Sequence, residues 1–73
     1  MTQERIIELL ADHLDIDPAE INENTTFGDL EVDSLDAVEI MMELEDEFGI
    51  EIKASEAGKS VKELVEYVDA RLN

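Results

Sequence analysis

Apolar residues recur with helical spacing along almost the whole chain. Ile6, Ile7, Leu10 and Leu14 share one face at a 3.6-residue period, which predicts a first helix from Thr2 or Gln3 to Leu14. Asp17-Pro18-Ala19-Glu20 then supplies an N-cap acid, a proline at the first helical position and an acid three residues after the cap. That pattern predicts a single helical turn, because Asn22 and Asn24 soon follow. Residues 21–32 form a connection long enough to serve function, with Phe27 and Leu30 pinning it to the core around Gly28. Asp33 is the expected N-cap of a second long helix, with Asp36 in the capping-box position and Gly49 stopping it after Phe48. Its length of about fifteen residues spans roughly 22 Å. Ile50-Glu51-Ile52 predicts an extended link with nothing to pair, and Ser55-Glu56-Ala57 one irregular turn. Ser60-Val61-Lys62-Glu63 reads as a capping box opening a last helix, with Val61, Leu64, Val65, Val68 and Leu72 as its core stripe. The expected fold is all-α, one domain over residues 1–73: a small bundle of three long helices plus one or two short helical turns.

Projecting the second helix at 100° per residue separates its faces. Ala37, Ile40, Met41, Leu44 and Phe48 fall in one arc and form the core stripe. Asp36, Glu39, Glu43, Asp46 and Glu47 occupy the opposite side. Leu35 and Met42 lie well off the core arc, and Val38 lies between them and Ser34. A helix that needed only a core would have no use for this apolar strip. Flanked by acids, it fits a partner with an apolar groove and a basic rim.

Charge sharpens that reading. Twenty-one acids face five bases, a net charge of −16, and no lysine or arginine occurs between Ile6 and Ile52. Arg5, Lys53, Lys59, Lys62 and Arg71 are confined to the two ends. Such a field repels nucleic acid and anionic lipid and steers proteins with basic patches toward the chain. It also predicts a fold that loosens at low salt and tightens with divalent cations. Seventy-three residues allow one modest core, with a net stability of roughly 3–5 kcal/mol. The absence of cysteine removes disulfides and thiolate metal sites and suits a reducing cytoplasm. The start, from Met1 to Arg5, predicts no signal peptide, and no segment approaches the ~20 apolar residues of a membrane span. The expectation is a monomeric cytoplasmic protein that neither inserts in membranes nor binds nucleic acid.

Ser34 stands at the first position of the second helix, beside its cap. A hydroxyl there is exposed at the positive end of the helix dipole, an environment that favours a covalently attached phosphate. Asp33-Ser34-Leu35-Asp36, continued through Ala37-Val38-Glu39-Ile40 and Met41-Met42-Glu43-Leu44-Glu45-Asp46-Glu47-Phe48, closely resembles the modification motif and second helix of acyl carrier proteins. Ile50-Glu51-Ile52 follows where that family has a similar sequence, and the resemblance runs to the Val65-Glu66-Tyr67-Val68 ending.

The resemblance implies that Ser34 receives 4′-phosphopantetheine from coenzyme A through a separate phosphopantetheinyl transferase. The arm's thiol would then carry growing acyl chains as thioesters to fatty acid synthesis enzymes. These partners are acyltransferases, ketoacyl synthases, reductases and dehydratases with basic docking patches. Asp33 matches the acid beside the modified serine. Asp36, Glu39, Glu45, Asp46 and Glu47 match the acidic docking positions, and Leu35 and Met42 match the apolar contacts, with Val38 between them. By the same analogy the acyl chain shelters between helices, in a pocket lined by Phe27, Leu30, Met41, Leu44, Ile52, Ala57, Leu64 and Val65. The chain departs from the family in having Glu31-Val32 where Gly-Ala often precedes Asp-Ser, which stiffens the approach to the serine. It also lacks the usual proline between Lys53 and Lys59, where the link to the last helix is shorter.

Rival readings differ in class. Asp29-Leu30-Glu31-Val32-Asp33 imitates the start of a calcium-binding loop, but Ser34 stands where glycine belongs and Ile40 where glutamate belongs, so no metal site is expected. His13, the sole histidine, is expected at the edge of the first helix's apolar face as a boundary residue, and no base is positioned near Ser34, so a catalyst is not expected. An unmodified acidic adaptor and a discrete carrier for a polyketide or other dedicated pathway complete the alternatives.

Overall fold

Three long helices form where the periodicity puts them: α1 (Thr2–Leu14), α2 (Ser34–Phe48) and α3 (Val61–Leu72), with a 3₁₀ turn at Pro18–Glu20 between the first two. The computed structural model describes residues 2–53 and 55–72. Helix α1 packs against both α2 and α3. It ends in a Schellman motif, with Ile16 N–H donating to the Ala11 carbonyl at 3.0 Å and Asp15 N–H to that of Asp12 at 3.4 Å. Asp15 takes the left-handed position at φ 58°, a conformation that aspartate tolerates better than most residues. Pro18–Glu20 carries a complete capping box: Asp17 accepts from Ala19 N–H at 2.9 Å, and Glu20 accepts from Asp17 N–H at 3.2 Å.

One buried cluster holds the bundle together, built from Ile6, Leu10 and Ala11 of α1, Ile40, Met41 and Leu44 of α2, and Val61, Leu64 and Val68 of α3. Ile21, Ile52 and Ala57 join it from the connections. Several sequence expectations need correction here. Leu72 is exposed, because the whole last turn from Asp69 to Leu72 faces solvent, while Val65, Ala37 and Phe48 are only partly buried. In α1, Ala11 belongs to the core, and Ile7 and Leu14 lie at its margin.

Two predicted capping boxes form only in part. At α2, Asp33 Oδ1 accepts from Asp36 N–H at 2.8 Å, but the Asp36 carboxylate turns toward His13 rather than back to the cap. At α3, Ser60 Oγ accepts from Glu63 N–H at 3.2 Å, while the Glu63 carboxylate passes Ser60 and accepts from Lys59 N–H at 3.1 Å. Gly58, at φ 87°, makes room for that reach, since a Cβ there would collide with the Glu63 side chain. The end of α2 is as expected: Gly49 adopts φ 66° and donates its N–H to the Glu45 carbonyl.

No β-strand occurs among the described residues; Ile50–Ile52 is an irregular link that begins with a bend, and an antiparallel bridge joins Thr26 to Ser60. The Lys53 carbonyl accepts from both Glu56 and Ala57 N–H groups, forming the irregular turn predicted there.

A surface tie links the start of α1 to the end of α2. Arg5 donates to Glu47 at 2.9 Å and to Glu8 at 3.0 Å. Those hydrogen bonds, Glu47's first, raise the Arg5 guanidinium further above its ordinary range, and Arg5 in turn lowers the Glu47 carboxyl below the usual carboxylate range. A lowered folded-state value contributes stability that is present in full above the unfolded value and lost as pH falls through the folded one. Both groups are exposed, so the tie is a weak one. In Arg5→Gln the Glu47 titration midpoint, followed by NMR of the side-chain carboxyl carbon, is expected to move up to the ordinary glutamate range. A midpoint unmoved by the substitution would show that Arg5 does not hold Glu47 in solution.

Candidate functional site

Ser34 opens α2 as an exposed side chain, with Asp33 in extended conformation supplying the cap. The Asp33 carboxylate binds Asp36 N–H, and its carbonyl accepts the first helical bond, from Ala37 N–H at 2.9 Å. The serine hydroxyl is therefore not needed to start the helix. It sits at the positive end of the helix dipole, free to carry a substituent.

The segment leading to it is anchored on both sides. Phe27 N–H donates to the Lys59 carbonyl at 3.0 Å, Val61 N–H to that of Thr25 at 2.9 Å and Lys62 N–H to that of Glu23 at 3.0 Å. These bonds tie the connection to the start of α3. Thr26 and Asp29 then bind each other's N–H groups, closing a turn around Gly28. Phe27, Leu30 and Val32 pack against the core, as expected of the first two, and Val32 N–H donates back to the Phe27 carbonyl at 3.0 Å. Glu31 adopts φ 57°. That left-handed conformation costs a side chain about 1–2 kcal/mol and suits glycine, which accounts for the glycine that the resembling family often has at this point. The two residues before the cap thus hold Ser34 on a short, strained arm fixed to the bundle.

Beside Ser34 the apolar strip is open to solvent: Leu35 is 75% exposed, Val38 52% and Met42 59%. Asp36 is partly buried, while Asp33, Glu39, Asp46 and Glu47 lie on the surface. Several acids of the predicted docking set are engaged within the fold. Glu45 is partly buried and accepts from Ile52 N–H at 2.9 Å, so it braces the link after α2 rather than standing free. Glu47 is held by Arg5. Nearest the serine, Asp33 caps α2, Asp36 is partly buried and faces His13, and Glu39 is exposed with its carboxylate 3.5 Å from His13.

The eight residues expected to line an acyl pocket do come together, but as packed core. Met41, Leu44, Ile52, Ala57 and Leu64 are buried in one cluster, with Phe27, Leu30 and Val65 against it. Three surface grooves run elsewhere, and of the eight only Leu30 lines one of them, beside Leu14, Ile16 and Thr25. Interiors close on themselves, so a guest chain between these helices would have to part them.

His13 is a boundary residue, as expected, but its side chain, 15% exposed, is turned to the acids of α2. Its Nε2 lies 3.7 Å from Asp36 Oδ1 and 3.5 Å from Glu39 Oε2, and its Nδ1 lies 3.3 Å from Glu43 Oε2. The i, i+3, i+7 spacing of those acids shows that they share a face of α2, but nothing local says which residue of α1 meets that face.

The family described as "Phosphopantetheine attachment site" matches residues 4–68. Among curated relatives, the acyl carrier protein of Rubrobacter xylanophilus is 48% identical over 68 residues, 89% of this chain and 84% of its own length. That of Lactobacillus acidophilus is 46% identical over 67 residues, 88% and 84% of the two chains. That of Zymomonas mobilis is 42% identical over 71 residues, 93% and 91% of the two.

Proposed function

This chain belongs to the acyl carrier proteins, and we propose on that premise that Ser34 is the residue that bears its 4′-phosphopantetheine arm. The observation that supports this most is the exposed hydroxyl at the head of α2, with the cap supplied by Asp33 and not by the serine. The residues present suit the group: an open helix N-terminus tolerates a phosphodiester, and nothing crowds the path of an arm into solvent. When bound, the arm supplies a thiol on which acyl groups ride as thioesters, chemistry that a cysteine-free chain cannot supply itself. Loading is a group transfer in which the Ser34 oxygen takes the phosphopantetheinyl phosphorus of coenzyme A, the nucleotide bisphosphate leaves, and the hydroxyl proton passes to the transferase. The chain is thus a substrate of that enzyme and a carrier, not a catalyst.

The protein delivers its cargo to the enzymes of fatty acid synthesis. The exposed Leu35, Val38 and Met42 enter an apolar groove on those partners while Asp33, Asp36 and Glu39 meet a basic rim. A net charge of −16 supports steering toward such rims and keeps copies of the chain apart as monomers. No helix among the described residues is long and apolar enough to cross a membrane, and we place the protein in the cytoplasm, where coenzyme A and a reducing environment meet its needs.

Incubation with coenzyme A and a promiscuous phosphopantetheinyl transferase, read by intact mass, tests the reading. The expected result is a gain of one phosphopantetheine in full yield; no gain rejects the assignment. Docking is checked separately with Glu39→Lys, whose carboxylate is well exposed. Acyl transfer to partner enzymes is expected to slow by at least about tenfold at low ionic strength, with the deficit shrinking as salt screens the interaction. Transfer rates equal to wild type across several partners would remove electrostatic docking at this position.

A further inference from the structure

We propose that the surface groove between the end of α1 and the connection leading to Ser34 is the resting place of the protein's own phosphopantetheine arm, a placement that rests on Ser34 being the attachment residue. Leu14, Ile16 and Leu30, each partly buried, line this groove, with the exposed side chains of Glu20, Asp29 and Glu31 along its edge. Its volume of about 590 Å³ is that of a small-molecule site. An apolar lining with a few polar groups at the edge is also the usual character of such sites.

The tether selects the occupant. Glu31 precedes Ser34 by three residues, so their Cα atoms are at most about 11 Å apart even on an extended chain. The opposite wall leads to the same place. Leu14 follows His13, whose Nε2 lies 3.7 Å from Asp36 Oδ1 in the first turn of α2. Both walls therefore run to the head of α2, and a group fixed to Ser34 starts beside the groove. Attachment also makes the encounter intramolecular, at an effective concentration in the millimolar range for a short flexible tether. An open groove of weak intrinsic affinity is then enough to hold a ligand that it would not retain from dilute solution.

The chemistry of the two surfaces agrees. Pantetheine is uncharged, with two methyl groups on one carbon near its tethered end, followed by hydroxyl and amide donors. Leu14, Ile16 and Leu30 offer the methyl groups an apolar surface. Glu20 and Asp29 already accept the Asp17 and Thr26 N–H groups, which leaves the Glu31 carboxylate as the acceptor for a hydroxyl or amide of the arm. The interior is a poorer host. Met41, Leu44 and Leu64 are buried in one cluster that a guest must part, whereas the groove is open as it stands. Occupation also leaves the docking strip clear, because the end of α1 stands against the Asp36–Glu39 flank of α2 while Leu35, Val38 and Met42 project from another. A partner thus meets the strip while the arm is at rest and draws the arm out afterwards.

The test is NMR of the isotope-labelled full chain before and after loading, with the gain of one phosphopantetheine first confirmed by intact mass. Expected are nuclear Overhauser contacts between the arm's paired methyl groups and the methyls of Leu14, Ile16 or Leu30. Free pantetheine, added at millimolar concentration to the unloaded chain, is expected to shift those same side-chain methyl resonances, a measurement that needs no attachment. Glu31→Gly is expected to weaken free pantetheine by about threefold or more through loss of one hydrogen bond. Its fold is safe, because glycine adopts the φ of 57° at that position readily. A loaded arm in contact with none of the three groove residues, or with Met41, Leu44 and Leu64 instead, would overturn this proposal alone. Failure to load, seen by mass before any NMR, would overturn the carrier reading and the proposal with it.

Discussion

Replacing Ser34 by alanine is expected to abolish phosphopantetheine attachment completely while leaving the fold unchanged. The two halves of that result have separate causes. On the proposed reading the hydroxyl is the acceptor; Thr2 also stands at the head of a long helix, α1, but is partly buried where Ser34 is exposed. Thr25 Oγ1 accepts from Asn22 N–H, Thr26 Oγ1 from Asp29 N–H and Ser60 Oγ from Glu63 N–H, so each is committed to a turn or cap. Ser55 is exposed but sits in a turn between α2 and α3, away from any long-helix N-terminus. Stability is spared because Asp33, not Ser34, caps α2, and alanine is a good helix former at the first turn. The unfolding free energy should stay within about 0.5 kcal/mol of wild type. Intact mass after treatment with transferase and coenzyme A, together with a urea unfolding curve, checks both halves. A mass gain on Ser34→Ala equal to that on wild type would move the attachment site elsewhere.

The second large effect is on the fold. Leu44 is fully buried on the core face of α2, within the cluster that joins all three helices. Truncation to alanine leaves a cavity that close-packed neighbours fill only in part, and such cavities cost about 2–5 kcal/mol. A domain of this size has roughly 3–5 kcal/mol in total. Leu44→Ala should therefore be substantially unfolded at room temperature or melt far below wild type. Met42, two positions away, is 59% exposed, and Met42→Ala should change stability by less than about 0.5 kcal/mol. The comparison is best made near physiological ionic strength, because self-repulsion at net charge −16 would weaken every variant at low salt. If both variants unfolded at the same urea concentration, the division of α2 into a core face and an exposed apolar strip would be wrong.

That division could be read from the chain before any coordinates. Ile40, Met41 and Leu44 fall in one arc by periodicity and are buried; Leu35, Val38 and Met42 fall outside it and are exposed. Asp33 and Gly49 mark the ends of α2 by residue type, and both adopt the expected conformations. The same approach was less successful at margins. Leu72 continues the stripe of α3 yet lies in solvent, because a helical period runs on past the point where a neighbouring helix stops covering it. Ile21, in a segment without periodicity, is buried without any pattern to announce it. The acids of α2 are all expected outward, but Glu45 turns to Ile52 N–H, a use that depends on where the following link passes.

What the sequence alone determined, therefore, is what depends on neighbours within about one helical turn: the three helices, their caps, the place of Ser34 at the head of α2, and the apolar strip beside it. Only the tertiary structure decided that His13 meets Asp36, Glu39 and Glu43, that Arg5 reaches Glu47 across 42 residues, and that the approach to Ser34 is tied to α3 at Lys59, Val61 and Lys62. A 3.6-residue period specifies how each helix is rotated about its own axis. It carries no information about how far one helix slides along another, and that offset selects which side chains meet.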